Sequence, residues 1–363
     1  MKRLLLFLTS VGLAAAEPRA KNVVVFLGDA GGIPTLHAAS IHGYGAPGKL
    51  FIQTMPHMGL SETSPVGAWV SDSAAGMTAI VTGHKTRNSV ISQSAEAVPG
   101  KADGVPLKTI LEYAEEHGLS TGVISNMSMA DATPASCYAH ANHRRKFAEI
   151  VAQIAKPRFG DGVDLVIGGG RKGIFAATEE AKYDFRKALG EKGYAMYDRP
   201  EEIPATAKRV VALFDERFDP APVVRRAIEI LSRNPKGYFL MVEWDMHTDK
   251  LRGGLDQAVT MDKLIRQTAD QVNKRDTLLL FTADHSFDLR VRGGKPGQPL
   301  LPETPAAEEG RSAVQMFNTH TAEEVLVAAM GPGASRVKGY MPNTQIFHIL
   351  MAAYGWKETG GAR

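Results

Sequence analysis

Short apolar runs recur along the chain at residues 23–27, 122–125, 165–167, 210–214, 238–243, 277–282 and 325–330. Several are apolar throughout rather than alternating, the pattern of a strand covered on both faces. Between them the apolar positions take a helical period, over residues 107–117, 146–155, 179–189, 223–233, 255–272 and 344–353. Gly118 follows the first of these as a helix stop. Strand then helix, repeated, predicts an α/β fold: a three-layer sandwich with a mostly parallel central sheet. No internal repeat or low-complexity segment interrupts the pattern. The Gly/Pro-rich stretch 292–305 reads as a long loop, so one domain is expected over residues 17–363.

The first residues carry an address. Lys2 and Arg3 precede apolar runs at 4–8 and 11–16, and Ala14-Ala15-Ala16 makes a small-residue cleavage site before Glu17. Residues 1–16 therefore read as a secretory signal peptide, which sends the mature protein to the periplasm or outside the cell. The run is too short for a membrane span, and no later stretch reaches the necessary length. The formal net charge of +3 on 363 residues is too small to argue for nucleic-acid binding. The one cysteine, Cys137, cannot pair within its own chain and reads as a packing residue.

Candidate chemistry begins in residues 70–86, V-S-D-S-A-A-G-M-T-A-I-V-T-G-H-K-T. Asp72 and Ser73 precede a helical pattern that Gly83 ends, so Ser73 falls at or near a helix N-terminus. Unpaired N–H groups and the helix dipole stabilise an anion there. Serine is also a common N-cap, which would leave Ser73 no other role.

Acids and histidines stand at the ends of the apolar runs. Asp29 is the first polar side chain past residues 23–27, as an Asx turn or as a metal carboxylate. Glu243-Trp244-Asp245-Met246-His247-Thr248-Asp249-Lys250 follows residues 238–242. An imidazole among carboxylates favours a divalent metal. Asp284 and His285 follow residues 278–282, and His320 precedes the run at 325–330. In parallel sheets ligands bind beyond the carboxyl ends of the strands. Asp29, Ser73, Glu243, His247, Asp249, Asp284, His285 and His320 are therefore expected to gather near one edge. Oxygen and nitrogen donors without a thiolate suit zinc, magnesium or similar ions.

From about Asn22 to Trp356 the sequence resembles the alkaline phosphatase family. Asp72-Ser73-Ala74-Ala75, with Thr82-Gly83 and Lys85-Thr86 downstream, is similar to the family's phosphoserine segment. Asp131-Ala132-Thr133-Pro134-Ala135, then His140 and Arg144, is similar to the segment with a magnesium-site threonine and a phosphate-binding arginine. Thr282-Ala283-Asp284-His285 and His320-Thr321 resemble two metal-ligand segments.

The resemblance implies two Zn2+ ions and one Mg2+. Ser73 would be the nucleophile, with Asp29, Asp284 and His285 holding the zinc beside it. His320 and Asp249 would help hold the second zinc, and Asp29, Thr133 and Glu243 the magnesium. Arg144 would clamp the phosphate of small phosphate-ester substrates, and Asp131 and Lys250 would tune that site. His84 and His140 read as structural. The family also suggests a homodimer.

One departure stands out. The family has Glu, then Asp five residues on, then His four further. Here Asp249 lies six past Glu243, and the position four past Asp249 is Gly253. His247 reaching in from the other side, or Asp245, are the alternatives. The expected function is a secreted metal-dependent phosphomonoesterase acting through a phosphoserine. A phosphodiesterase or phosphonate hydrolase on the same scaffold is the runner-up. A non-catalytic phosphate- or metal-binding protein is the third reading. A sulfatase lacks support, because Ser73-Ala74-Ala75 is not the Cys/Ser-x-Pro-x-Arg setting of that chemistry.

Overall fold

The computed structural model describes residues 19–301 and 313–357, so the signal-peptide reading and the end of the 292–305 loop lie outside the described residues. The strands are β1 (Asn22–Asp29), β2 (His57–Glu62), β3 (Ser120–Ser128), β4 (Leu165–Gly169), β5 (Ala195–Tyr197), β6 (Val210–Phe214), β7 (Tyr238–Asp245), β8 (Thr277–Thr282), β9 (Ser286–Val291), β10 (Val314–Thr321), β11 (Val325–Met330) and β12 (Gly339–Pro342). The helices are α1 (Ile33–Tyr44), α2 (Ser73–Thr82), α3 (Ile110–Glu116), α4 (Ala132–Tyr138), α5 (Phe147–Ala155), α6 (Arg171–Glu180), α7 (Phe185–Glu191), α8 (Pro220–Leu231), α9 (Leu251–Gln271) and α10 (Thr344–Tyr354).

Ten strands form one sheet in the order β12-β2-β11-β8-β1-β7-β3-β4-β6-β5. Only β11 runs against its neighbours, β2 and β8; the other pairings are parallel. The expected α/β sandwich is thus the observed fold, and its layers follow from the strand sequences. Val23, Val25 and Leu27 of β1 point into one core, against α2, α3, α4, α5 and α10. Val24 and Phe26 point into the other, against α1, α8 and α9. Each such side chain, fully buried, contributes about 1.5–3 kcal/mol, which is why the central strands carry no polar alternation.

The helical run expected over 179–189 is broken. It forms α6 and α7, separated by a turn in which Lys182 takes φ 53°. α1 and the short strands β2, β5 and β12 carry too little apolar periodicity to be read from sequence. Cys137 is buried and free, as a packing residue would be. Among the described residues no helix is long and apolar enough to cross a membrane.

Candidate active site

Parallel strands end together, and here the register makes the ends level. Leu27 pairs with Glu243 on one side and Thr282 on the other, while Asp29 pairs with Asp245. Ser125 of β3 pairs with Glu243 across the next interval. The residues that follow β1, β7 and β8 therefore leave the sheet along one edge. Asp29 is 5 % exposed there, and Ala30 just after it takes φ 60°. That left-handed conformation is strained for a residue with a Cβ. It aims the Ala30 N–H at Asp284 Oδ1, 3.3 Å away.

Ser73 reaches this edge on α2. The helix is capped by Asp72, whose Oδ1 accepts the Ala75 N–H at 3.0 Å. Ser73 is consequently the first helical residue rather than the cap, and its hydroxyl is free to face the site. Ser73 Oγ lies 3.3 Å from His285 Nε2 and 3.4 and 3.5 Å from the two carboxylate oxygens of Asp29. Gly76 makes the approach possible, because a Cβ there would overlap the Asp284 carbonyl.

The structure brings together most of the residues the sequence singled out. His285 Nε2 lies 3.3 Å from Asp29 Oδ1 and 3.7 Å from Asp284 Oδ2. His247 and His320 face each other through their Nε2 atoms at 3.3 Å. The rings of His285 and His320 stack with centroids 3.8 Å apart. His320 arrives on the β9–β10 hairpin, which follows His285 directly and which the sequence did not reveal. Two donor sets result, Asp29/Asp284/His285 and His247/His285/His320, each with its ligand atoms within 4.8 Å of one another.

Glu243 is buried beside Asp29's strand and accepts a short hydrogen bond from Ser125 Oγ. Thr133 sits on α4, whose cap Asp131 accepts the Ala132 N–H at 2.7 Å. Arg144 is held by two acids: Nη1 is 3.2 Å from Asp72 Oδ2 and Nη2 is 2.8 Å from Asp131 Oδ1. Asp249 and Lys250 are exposed in the turn before α9. Asp249 lines a cavity of about 340 Å³ together with Asp245, His247 and His320, but belongs to neither donor set. His140 is buried against Glu112 and the Ser92 carbonyl, each at 2.8 Å. Ser125 and the Ser71 carbonyl, 3.0 Å from His320 Nδ1, carry no sequence signal of their own.

Charge at this edge is poorly balanced. Burial pushes the Asp284 carboxyl up to about 7, and the nearby Asp29 charge adds to it. Burial and the same neighbour drive Glu243 well above the carboxylate range. Asp29 is also buried, yet the His285 hydrogen bond and the charges of His247 and His285 hold it below its ordinary value. Burial opposes the charged form of His247, but the Asp245 hydrogen bond and Asp29 raise it to about 9.

The donors fit divalent cations. Asp284 Oδ2 and Thr133 Oγ1 are buried without a hydrogen-bond partner. His285 Nδ1 lies 3.1 Å from the Ser286 carbonyl, which can only accept, so the ring holds its proton on Nδ1. Its Nε2 then donates to the Asp29 carboxylate when the ring is charged, and turns a lone pair to a cation held between the two when the ring is neutral. A hydroxyl, cation-binding donors and a fixed guanidinium on one buried edge belong to the cation-assisted hydrolases of anionic esters.

A family model described as alkaline phosphatase matches residues 20–194 and 214–316. The chain belongs to the alkaline phosphatase family and is an enzyme, a phosphoric monoester hydrolase. It is 30 % identical to an alkaline phosphatase of Gadus morhua, over 92 % of each chain. It is 27 % identical to a streptomycin-6-phosphate phosphatase of Streptomyces griseus, over 97 % of this chain and 95 % of that one. The alkaline phosphatase of the Antarctic bacterium TAB5, in a variant with Mg bound in its M3 site, superposes with a TM-score of 0.78 at 24 % identity, covering 94 % of this chain and all of that one.

Proposed function

We propose that the chain is an exported phosphomonoesterase that passes the phosphoryl group of its substrate to Ser73 and then to water. The observation that carries this reading is the convergence on Ser73 Oγ of Asp29 and His285, at 3.3 to 3.5 Å, from two different strand ends. Asp29, Asp284 and His285 would hold a zinc ion beside the serine. His320, with a donor from the segment after Glu243, would hold a second zinc. Asp29, Glu243 and Thr133 would hold magnesium, a hard ion suited to oxygen donors. When bound, such ions supply Lewis acidity, which lowers the pKa of hydroxyl and water nucleophiles and offsets charge on the leaving oxygen.

The chain's own residues do the rest. Asp72 and Asp131 fix the Arg144 guanidinium so that its remaining N–H groups present a fork to two phosphoryl oxygens. Ser73 Oγ forms the bond to phosphorus as the ester oxygen leaves. Water then attacks the phosphoserine, freeing inorganic phosphate and restoring the hydroxyl. The start of α2 sets backbone N–H groups beside the dianion. Ser125 holds Glu243, and the buried walls exclude bulk water.

The test is turnover of matched mono- and diesters by the purified chain and by Ser73→Ala. Monoester hydrolysis lost in Ser73→Ala is expected. A faster diesterase, or unchanged turnover in the variant, contradicts the reading.

A further inference from the structure

The hydrogen-bond acceptors behind two imidazoles decide which groups complete the second cation position. Sequence alone leaves Asp245, His247 and Asp249 open there. His320 Nδ1 lies 3.0 Å from the Ser71 carbonyl, so its proton sits on Nδ1 and Nε2 presents a lone pair. His247 Nδ1 lies 2.8 Å from Asp245 Oδ1, and the same oxygen accepts the His247 backbone N–H at 3.0 Å. Asp245 is itself fixed, because its own N–H donates to Asn126 Oδ1 at 2.9 Å. When the His247 ring is neutral, Nε2 likewise turns a lone pair toward His320, 3.3 Å away; when it is charged, Nε2 donates its proton to His320 across the same gap.

One position between the two Nε2 atoms can thus be filled by a proton or by a cation that displaces it and accepts both lone pairs. Two zinc–imidazole bonds of about 2.05 Å at a tetrahedral angle span roughly 3.3 Å between nitrogens, which is the separation observed. Asp249, in contrast, is exposed on the rim of the cavity and outside the converging donors.

We propose that His247 and His320 bind the second ion through Nε2, that Asp245 acts from behind as a positioning residue for His247, and that Asp249 is not a ligand. From the segment after Glu243 the chain thereby supplies one imidazole where the family has a carboxylate and a histidine, beside the His320 that both share. Its two neighbouring positions then differ in chemistry. Asp29, Asp284 and His285 form an oxygen-rich set. The His247/His320 pair favours borderline ions such as zinc or cobalt over magnesium or calcium. This rests on the phosphatase reading only for the presence of resident cations.

The experiment strips the full chain with a chelator and reloads it with cobalt(II). Bound ions are counted by elemental analysis, affinity is read by chelator competition, and the visible cobalt spectrum is recorded. Thermal unfolding of each variant checks that it is folded. Asp249→Asn should bind as many ions as the parent with unchanged affinity and spectrum. His247→Asn should lose one equivalent. Asp245→Asn should keep the ion but bind it about 10- to 100-fold more weakly, as loss of an outer hydrogen-bond partner does. Asp245→Glu should recover part of that loss. An equivalent lost in Asp249→Asn, or a full complement at parental affinity in His247→Asn, overturns the assignment while leaving the phosphatase reading intact. A parent chain that binds no cobalt and turns over no ester would instead overturn the phosphatase reading.

Discussion

Asp72 serves Arg144 and the helix that starts at Ser73 at once. Its Oδ1 takes the Ala75 N–H at 3.0 Å, and its Oδ2 lies 3.2 Å from Arg144 Nη1. The proposed nucleophile and the proposed phosphate clamp are therefore positioned by one carboxylate. Asparagine keeps the cap oxygen but removes the charge that holds the guanidinium. Asp72→Asn is expected to stay folded with a raised KM for phosphate esters, and to unfold somewhat below the parental temperature because its amide would face the Ser89 N–H that Oδ2 accepts at 2.9 Å. Asp72→Ala should in addition lose about 1 kcal/mol of stability. Equal KM values in all three proteins would separate Asp72 from substrate binding.

Arg144 offers a planar fork that lysine cannot reproduce. A hydrogen bond to a charged group is worth about 1.5–3 kcal/mol. Arg144→Lys is therefore expected to lower kcat/KM by about tenfold to a hundredfold. Steady-state kinetics on an aryl phosphate measure it, and a lysine variant at parental efficiency would remove Arg144 from the clamp.

Cation removal should act on stability as well as turnover. Asp29, Asp284 and Glu243 are all buried within a few residues of one another's strand ends. Ions bound at 100 times their dissociation constant stabilise the fold by about 2.7 kcal/mol per site. Chelation is expected to lower the unfolding temperature, with recovery on adding zinc and magnesium. The far-UV spectrum should stay unchanged, since the apolar cores on the two faces of the sheet contain none of the cation donors. An unfolding temperature that ignores the chelator would contradict the cation reading.

Away from the site, α3 buries Glu115, which accepts the Gly162 N–H at 3.0 Å and the Thr121 hydroxyl at 3.3 Å. Burial, with the neighbouring Glu112, Asp161 and Asp164 charges, pushes its carboxyl up to about 8. The folded state thus prefers the protonated form. Its contribution is complete below the ordinary glutamate range, near 4.5, and is lost as pH rises through about 8. Asp164, pushed up to about 6 by burial, acts in the same direction at lower pH. Glu115→Gln is expected to flatten the fall in unfolding temperature over that interval. A parent and variant with parallel pH profiles would contradict it.

The sheet could be read from sequence because β1, β7 and β8 are buried on both faces and so carry unbroken apolar runs. Their ends could be read for the same reason, since Asp29 and Asp284 are the polar residues that stop those runs. The β9–β10 hairpin could not: only part of its length is buried, so Val314–Thr321 mixes polar and apolar positions without a period. From sequence, His320 therefore stands only as a residue before the run at 325–330, with no strand of its own. The roles of Asp245 and Asp249 stayed open because sequence spacing does not show which side chain turns inward after a strand. α6 and α7 ran together because the turn between them holds no proline or glycine, only Ala181 to Asp184.

The most direct test of the account is to quench the enzyme in acid during turnover of a phosphate monoester and map the phosphorylated peptide by mass spectrometry. One phosphoryl group on Ser73, absent from Ser73→Ala, is the predicted result. A burst of product with the phosphoryl group on another side chain, or turnover at the parental rate by Ser73→Ala, would contradict it.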